Sequence, residues 1–176
     1  IEPCDSVQLE QVIKMLQDAY GVFYIRMLRK NAVGIYEEGS TFTLGKAPVL
    51  RDGTDVLLIS CGEMTMRCLD AAEALEKDNI HAAVLHVPTI KPLDKETILK
   101  EIKKSGRLVI TAENHTVVGG LGSLVANLLV DEQVSAVLKK IALPDKYLAA
   151  GTLETLQNLY GVSTDAVTAQ IKAYLK

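Results

Sequence analysis

The apolar residues of this chain change period along its length, and the change divides it. Near the start, Leu9, Val12, Ile13, Leu16 and Tyr20 recur at helical spacing behind a capping Asp5 or Ser6, and Gly21 suits the left-handed position that ends a helix. Val22–Met27 is then a β-rich run that stops at Arg29-Lys30-Asn31. One helix and one strand cannot bury both their faces, so this part reads as the tail of a preceding domain. Residues 32–54 set turn formers (Gly34, Gly39-Ser40, Gly45, Pro48, Asp52-Gly53) around short apolar pieces, which predicts an extended connector with one or two short strands.

From Asp55 the pattern becomes regular. Asp55–Ser60, Ile80–Val87, Arg107–Ala112 and Val134–Ile141 read as strands that are apolar throughout. Helices separate them. Met64, Cys68, Ala71, Ala72 and Leu75 mark the inner stripe of the first, and the second opens at Leu93-Asp94, where Leu93 and Ile98 sit at the spacing of a hydrophobic staple around the cap Asp94. The third covers Gly120–Val130, and two more follow at 152–160 and 164–175, capped by Thr152 and Ser163 and separated by Gly161. Strands that are apolar on both faces and alternate with helices imply a mostly parallel sheet covered on both sides. The predicted fold class is α/β, a three-layer α/β/α sandwich.

Such a sheet places the carboxyl ends of its strands along one edge, where ligands of open α/β folds usually bind. Cys61-Gly62-Glu63 after the first strand, His86 at the end of the second and Glu113-Asn114-His115-Thr116 after the third should therefore share one rim. The same positions also suit helix caps, loop solvation or a protein interface. Gly119-Gly120-Leu121-Gly122-Ser123 lies between a strand and a helix, where free N–H groups and the helix dipole can hold an anion. It is not a dinucleotide fingerprint, because Val125 stands where the third glycine belongs, and no lysine follows to make a Walker A loop. The alternative is that the glycines let the helix begin close to the sheet. Arg26 and Arg29 end a buried-type strand near a domain junction, and such a pair can clamp a phosphate with its forked donors.

Composition narrows the classes. The chain has 176 residues, 48% of them apolar and 23% charged, with a net charge of −3. That fits a globular protein rather than a disordered or fibrous one. No apolar run reaches the roughly 18 residues of a membrane span and no signal peptide is visible, so a cytoplasmic protein is expected. Without a Lys/Arg cluster, nucleic acid and membrane surfaces are not expected partners. Three cysteines at wide spacing, Cys4, Cys61 and Cys68, make no zinc pattern and read as reduced, structural thiols. His86, His115 and Glu113 lack both the helical i, i+4 and the H-x-H spacing of metal ligands, so no metal site is predicted. No G-x-S-x-G elbow supports a hydrolase. The chain starts at Ile1 rather than methionine, and a piece of something longer is expected.

Several motifs then occur in a telling order. Asp55 through Cys61-Gly62 is followed by His86-Val87-Pro88-Thr89-Ile90-Lys91-Pro92-Leu93-Asp94, by Glu113-Asn114-His115-Thr116-Val117-Val118-Gly119-Gly120-Leu121-Gly122-Ser123, and by Pro144-Asp145-Lys146-Tyr147, Gly151-Thr152 and Tyr160-Gly161-Val162. This set resembles the C-terminal domain of transketolases. Residues 22–31 resemble the last strand of the pyrimidine-binding domain that precedes it in such enzymes, so the resemblance covers nearly the whole chain. It implies residues 1–31 as the tail of that domain, 32–50 as connector and 51–176 as the C-terminal domain, with a five-stranded sheet whose one antiparallel strand comes from residues near 48–51.

The family resemblance also implies chemistry. Its enzymes use thiamine diphosphate and magnesium to move a two-carbon ketol unit from a ketose phosphate to an aldose phosphate. The cofactor sits between an N-terminal diphosphate-binding domain of one subunit and a pyrimidine-binding domain of another, so this chain is expected to bind none and to contain no catalytic residue. The Gly-Asp-Gly signature of the diphosphate site is absent, since Asp52-Gly53 is preceded by Arg51. Arg29 matches the arginine of the S-R-x-N or R-x-P-R segment that grips substrate phosphate, with Leu28 in place of the usual small residue or proline. Glu113, His115, Gly119, Gly120 and Gly122 remain candidate rim, anion or interface residues. The implied partners are the rest of a transketolase chain or its N-terminal subunit, in a homodimer, with subunit contacts and regulation as the domain's roles. Deoxyxylulose phosphate synthase and the beta subunits of 2-oxoacid dehydrogenase decarboxylases share this domain and are the alternatives, the latter using it to dock an acyltransferase core. The third is a free-standing anion- or nucleotide-binding module.

Overall fold

The computed structural model describes residues 1–29, 32–104 and 106–176. Eleven elements follow in order: α1 (Ser6–Leu16), β1 (Val49–Arg51), β2 (Val56–Ser60), α2 (Met64–Glu76), β3 (Ala82–His86), α3 (Lys95–Ile102), β4 (Leu108–Thr116), α4 (Leu121–Asp131), β5 (Leu138–Leu143), α5 (Leu153–Leu159) and α6 (Thr164–Tyr174). The five strands form one sheet in the order β1-β3-β2-β4-β5. β1 pairs with β3 antiparallel, and the other three pairings are parallel. This is the α/β architecture expected, including the odd strand near residues 48–51.

The two faces of the sheet explain why its central strands are apolar throughout. Side chains alternate across a strand, so Val56 and Leu58 of β2 join Met64, Cys68 and Leu75 of α2 and Val167 and Ile171 of α6 in one core. Leu57 and Ile59 join Ile98 and Ile102 of α3 and Leu121, Val125 and Leu128 of α4 in the other. Helix starts follow the capping residues: Asp94 accepts from Thr97 N–H, Thr152 from Thr155 N–H and Ser163 from Ala166 N–H.

Four expectations need correction. The run Val22–Met27 is extended but forms no strand within this chain. Its backbone partner is Ile1, which donates to the Tyr24 carbonyl at 2.9 Å and accepts from Arg26 N–H at 2.9 Å. A strand exists only by pairing, and the apolar pattern supplies no partner; Lys30 and Asn31, where the run was expected to stop, lie outside the described residues. α1 ends at Leu16, so Tyr20 does not extend its buried stripe and is fully exposed. The last strand begins at Leu138 rather than Val134, because Val134 N–H closes the end of α4 on the Leu129 carbonyl, beside Gln133 in the left-handed region at φ 54°. Finally, β4 runs on to Thr116, so Glu113–Thr116 belong to the strand instead of following it.

Candidate functional site

Parallel pairing brings the expected residues to one edge. Ser60 lies beside His86 and Ala112 in register, so Cys61, His86 and Glu113 all stand at the carboxyl ends of neighbouring strands. What faces them is the chain's own N-terminal segment. Glu2 N–H donates to the Pro88 carbonyl at 2.8 Å, Gln8 of α1 reaches His86, and Arg26 donates to the Asn114 carbonyl. The position where open α/β sheets usually accept a ligand is thus largely covered by residues 1–28.

His86 is completely buried, and its hydrogen bonds define a tautomer. Gln8 Oε1 accepts from Cys4 N–H at 2.9 Å and from the His86 Nε2–H at 3.0 Å, which leaves Nδ1 to accept from the Thr65 hydroxyl at 2.8 Å. Ser60 donates in turn to Thr65 at 3.1 Å. Burial lowers the His86 pKa to about 4, so the ring is neutral near pH 7. It is a buried link between sheet and N-terminal helix.

The glycine-rich turn has a resident anion. Glu113 is 2% exposed, and its carboxylate accepts Leu121 N–H at 2.7 Å and Gly122 N–H at 2.8 Å, the first amides of α4. The carboxylate, carried on β4, thus occupies the N-terminus of α4. A Cβ at Gly120 would fall inside that carboxylate, 2.6 Å from its carboxyl carbon. Close approach therefore explains the glycine at this position. Gly119 carries φ 79° in an exposed turn, where its N–H donates to Ser123 Oγ at 3.0 Å. His115 is exposed and its Nδ1 lies 3.0 Å from the Thr116 carbonyl oxygen.

A charged seam joins the two parts of the chain. Arg26 Nη1 donates to Glu2 Oε1 at 2.6 Å while its Nη2 donates to the Asn114 carbonyl. The Asn114 side chain donates to Glu63, which also accepts from Gln157 of α5 at 3.2 Å and pairs with Arg67 at 3.6 Å. Burial raises the Glu2 carboxyl even though Arg26 opposes it, and burial pushes the neighbouring Cys61 thiol well above its usual range, with the Glu2 and Glu113 charges adding to the rise. Gly62, at φ 53°, has no room for a Cβ against the Glu2 side chain. A cleft of about 190 Å³ remains along this seam, bounded by Tyr24, Arg26, Cys61, His115 and Gly119. Arg26 and Arg29 differ in their surroundings: Arg26 donates to Glu2 and Asn114, whereas Arg29 is exposed.

Glu2, Gln8 and Gln157 had no sequence signal as site residues, because each works through a partner far away in the chain. Among the described residues, no three His, Cys, Asp or Glu side chains converge as metal ligands, and no helix is long and apolar enough to cross a membrane.

This arrangement has known counterparts. The family model for the transketolase C-terminal domain matches residues 45–167. A transketolase family protein of Sinorhizobium fredii is 53% identical over 177 residues, covering 99% of this chain and 51% of its own. A 6-deoxy-6-sulfo-D-fructose transketolase subunit of Clostridium sp. is 40% identical over 94% of this chain and 51% of its own. Among solved structures, a split-gene transketolase described as an inactive β4 tetramer superposes with a TM-score of 0.91 at 32% identity, over 98% of this chain and 56% of that one. The chain thus spans about half the length of these relatives. With a fold, a motif order and a family match that agree over most of its length, the chain belongs to the transketolase family and carries that family's C-terminal domain.

Proposed function

We propose that this chain is the C-terminal part of a thiamine-diphosphate enzyme that transfers a two-carbon ketol unit between sugar phosphates, and that its own work is to dock and hold the substrate-facing end of the pyrimidine-binding domain. One observation carries this reading: the carboxyl edge of the sheet is covered by residues 1–28, through His86–Gln8, Arg26–Asn114 and Glu2–Pro88. An edge used in this way is a platform for a neighbouring domain. We pair with it a division into a tail at 1–31, a connector at 32–50 and a C-terminal domain at 51–176. Relatives named as subunits or split-gene products support a partner polypeptide or a preceding segment that completes the enzyme, and a homodimer is the assembly we infer.

Thiamine diphosphate requires a diphosphate cradle and a magnesium site. The residues present do not fit it: the rim's helix terminus is already neutralised by Glu113, and no set of three metal-ligating side chains converges among the described residues. We therefore assign the cofactor to the rest of the enzyme. Arg29, exposed at the end of the docked segment, is the residue of this chain assigned to substrate phosphate.

Reconstitution tests the reading. Mixed with the remainder of its enzyme, thiamine diphosphate and magnesium, the chain should restore ketol transfer between sugar phosphates, and neither half should be active alone. Turnover by this chain alone, or full activity without it, would refute the proposal. In the assembled enzyme Arg29→Ala should raise KM for phosphorylated sugars by the equivalent of about 1.5–3 kcal/mol, as expected for a charged hydrogen bond. An unchanged KM would remove the phosphate role.

A further inference from the structure

We propose that Arg26 is the positioning residue that aims Arg29, and so sets phosphate recognition without touching phosphate. The inference rests on the Arg29 assignment above and deepens it. Residues 22–28 run extended and the chain bends at Arg29. Arg26 is turned toward the sheet, where its guanidinium meets Glu2 and the Asn114 carbonyl. Arg29 lies at that bend, three positions further on, and is exposed.

The described hydrogen bonds of the segment are few. Its backbone is tied to Ile1, through Tyr24 O and Arg26 N, and the described hydrogen bonds from its side chains are those of Arg26. Those bonds end on stiff structure. Asn114 is part of β4, and its side chain is fixed by Glu63, which Gln157 and Arg67 hold from α5 and α2. Glu2 is tied by its own N–H to the Pro88 carbonyl after β3. A planar fork that spans two acceptors, one on β4 and one on the N-terminal segment before α1, fixes the direction of the chain that carries it, which a single flexible ammonium cannot do. The side chains of Arg26 and Glu2 are 34% and 13% exposed, so water screens the pair only partly.

The test compares Arg26→Gln, Arg26→Lys, Arg29→Ala and the double variant Arg26→Gln/Arg29→Ala in the assembled enzyme, each with a phosphorylated aldose and its unphosphorylated counterpart. Arg26→Gln should raise KM for the phosphorylated aldose by roughly tenfold, leave kcat nearly unchanged, and leave KM for the unphosphorylated sugar at the wild-type value. Arg26→Lys, which keeps the charge but cannot span both acceptors, should give a smaller rise of the same selective kind, and it decides the matter if Arg26→Gln does not assemble. The double variant should be no worse than Arg29→Ala, because the two residues act through one contact. Equal effects of Arg26→Gln or Arg26→Lys on both sugars, or a full additional loss in the double variant, would overturn the positioning role. Arg29→Ala without effect would instead overturn the phosphate assignment itself.

Discussion

If Glu113 and Gly120 form one unit, a double-mutant cycle must show strong coupling. Gly120 sits at the N-cap of α4 with φ −90°, a conformation open to any L-residue, so alanine there carries no backbone penalty beyond the usual cap preference of about 1 kcal/mol or less. Its methyl, however, would overlap the Glu113 carboxylate, and that side chain is buried and held by two amides at 2.7 and 2.8 Å. Hydrogen bonds to a charged group contribute about 1.5–3 kcal/mol each. Losing both with partial relaxation puts Gly120→Ala at about 2–4 kcal/mol destabilising. Glu113→Ala loses the same bonds directly and should cost a similar amount. In that background the methyl meets the space the carboxylate left, so the double variant should match Glu113→Ala within about 1 kcal/mol, and the coupling energy should be about 1–4 kcal/mol. Urea unfolding of the four proteins at pH 7, followed by far-UV circular dichroism, gives each value. Additive losses would refute the idea that the carboxylate and the glycine occupy one another's space.

Buried groups elsewhere in the chain give three further outcomes. His86 titrates at about 4 in the fold against an unperturbed value near 6.5, so the unfolded state binds more protons between these pH values and stability should fall as pH drops from about 6.5 through 4, by up to about 3 kcal/mol; His86→Gln should flatten that slope, and an unchanged slope in urea midpoints would contradict it. Burial alone would raise the Asp94 carboxyl, but hydrogen bonds from Thr97 and Ala47 outweigh it and hold it below the usual range, so Asp94→Ala should cost about 1–3 kcal/mol at pH 7, and its deficit relative to wild type should shrink as pH falls through the carboxylate range, read from thermal melts. Cys4, Cys61 and Cys68 are buried, and burial raises the Cys4 and Cys68 thiols to about 12, so a thiol reagent at pH 8 should label the native chain slowly and all three cysteines in urea; fast labelling of the native chain would argue against this packing.

The parts of the fold that were legible in the sequence are those set by local pattern. β2 and β3 bury every residue, which is why both read as unbroken apolar runs, and Asp94, Thr152 and Ser163 announce three helix starts through their own side chains. β1 is different. Its three residues carry no period, and only the family resemblance pointed to them. Topology alone brings Cys61, His86 and Glu113 to one edge, but what meets them there has no local signal, because His86 meets Gln8 across 78 positions and Arg26 meets Asn114 across 88. The glycine turn shows the same limit: a turn built to receive an outside anion and one built around Glu113 use the same glycines, and only the fold reveals that the carboxylate comes from β4.

The central claim is that this domain supports a cofactor pocket formed by the rest of its enzyme. Titration calorimetry with thiamine diphosphate and magnesium measures this directly, first on this chain alone and then on the assembled enzyme. We expect no binding heat from the chain alone and one saturating site per assembled active centre. Stoichiometric binding to this chain by itself would contradict the account.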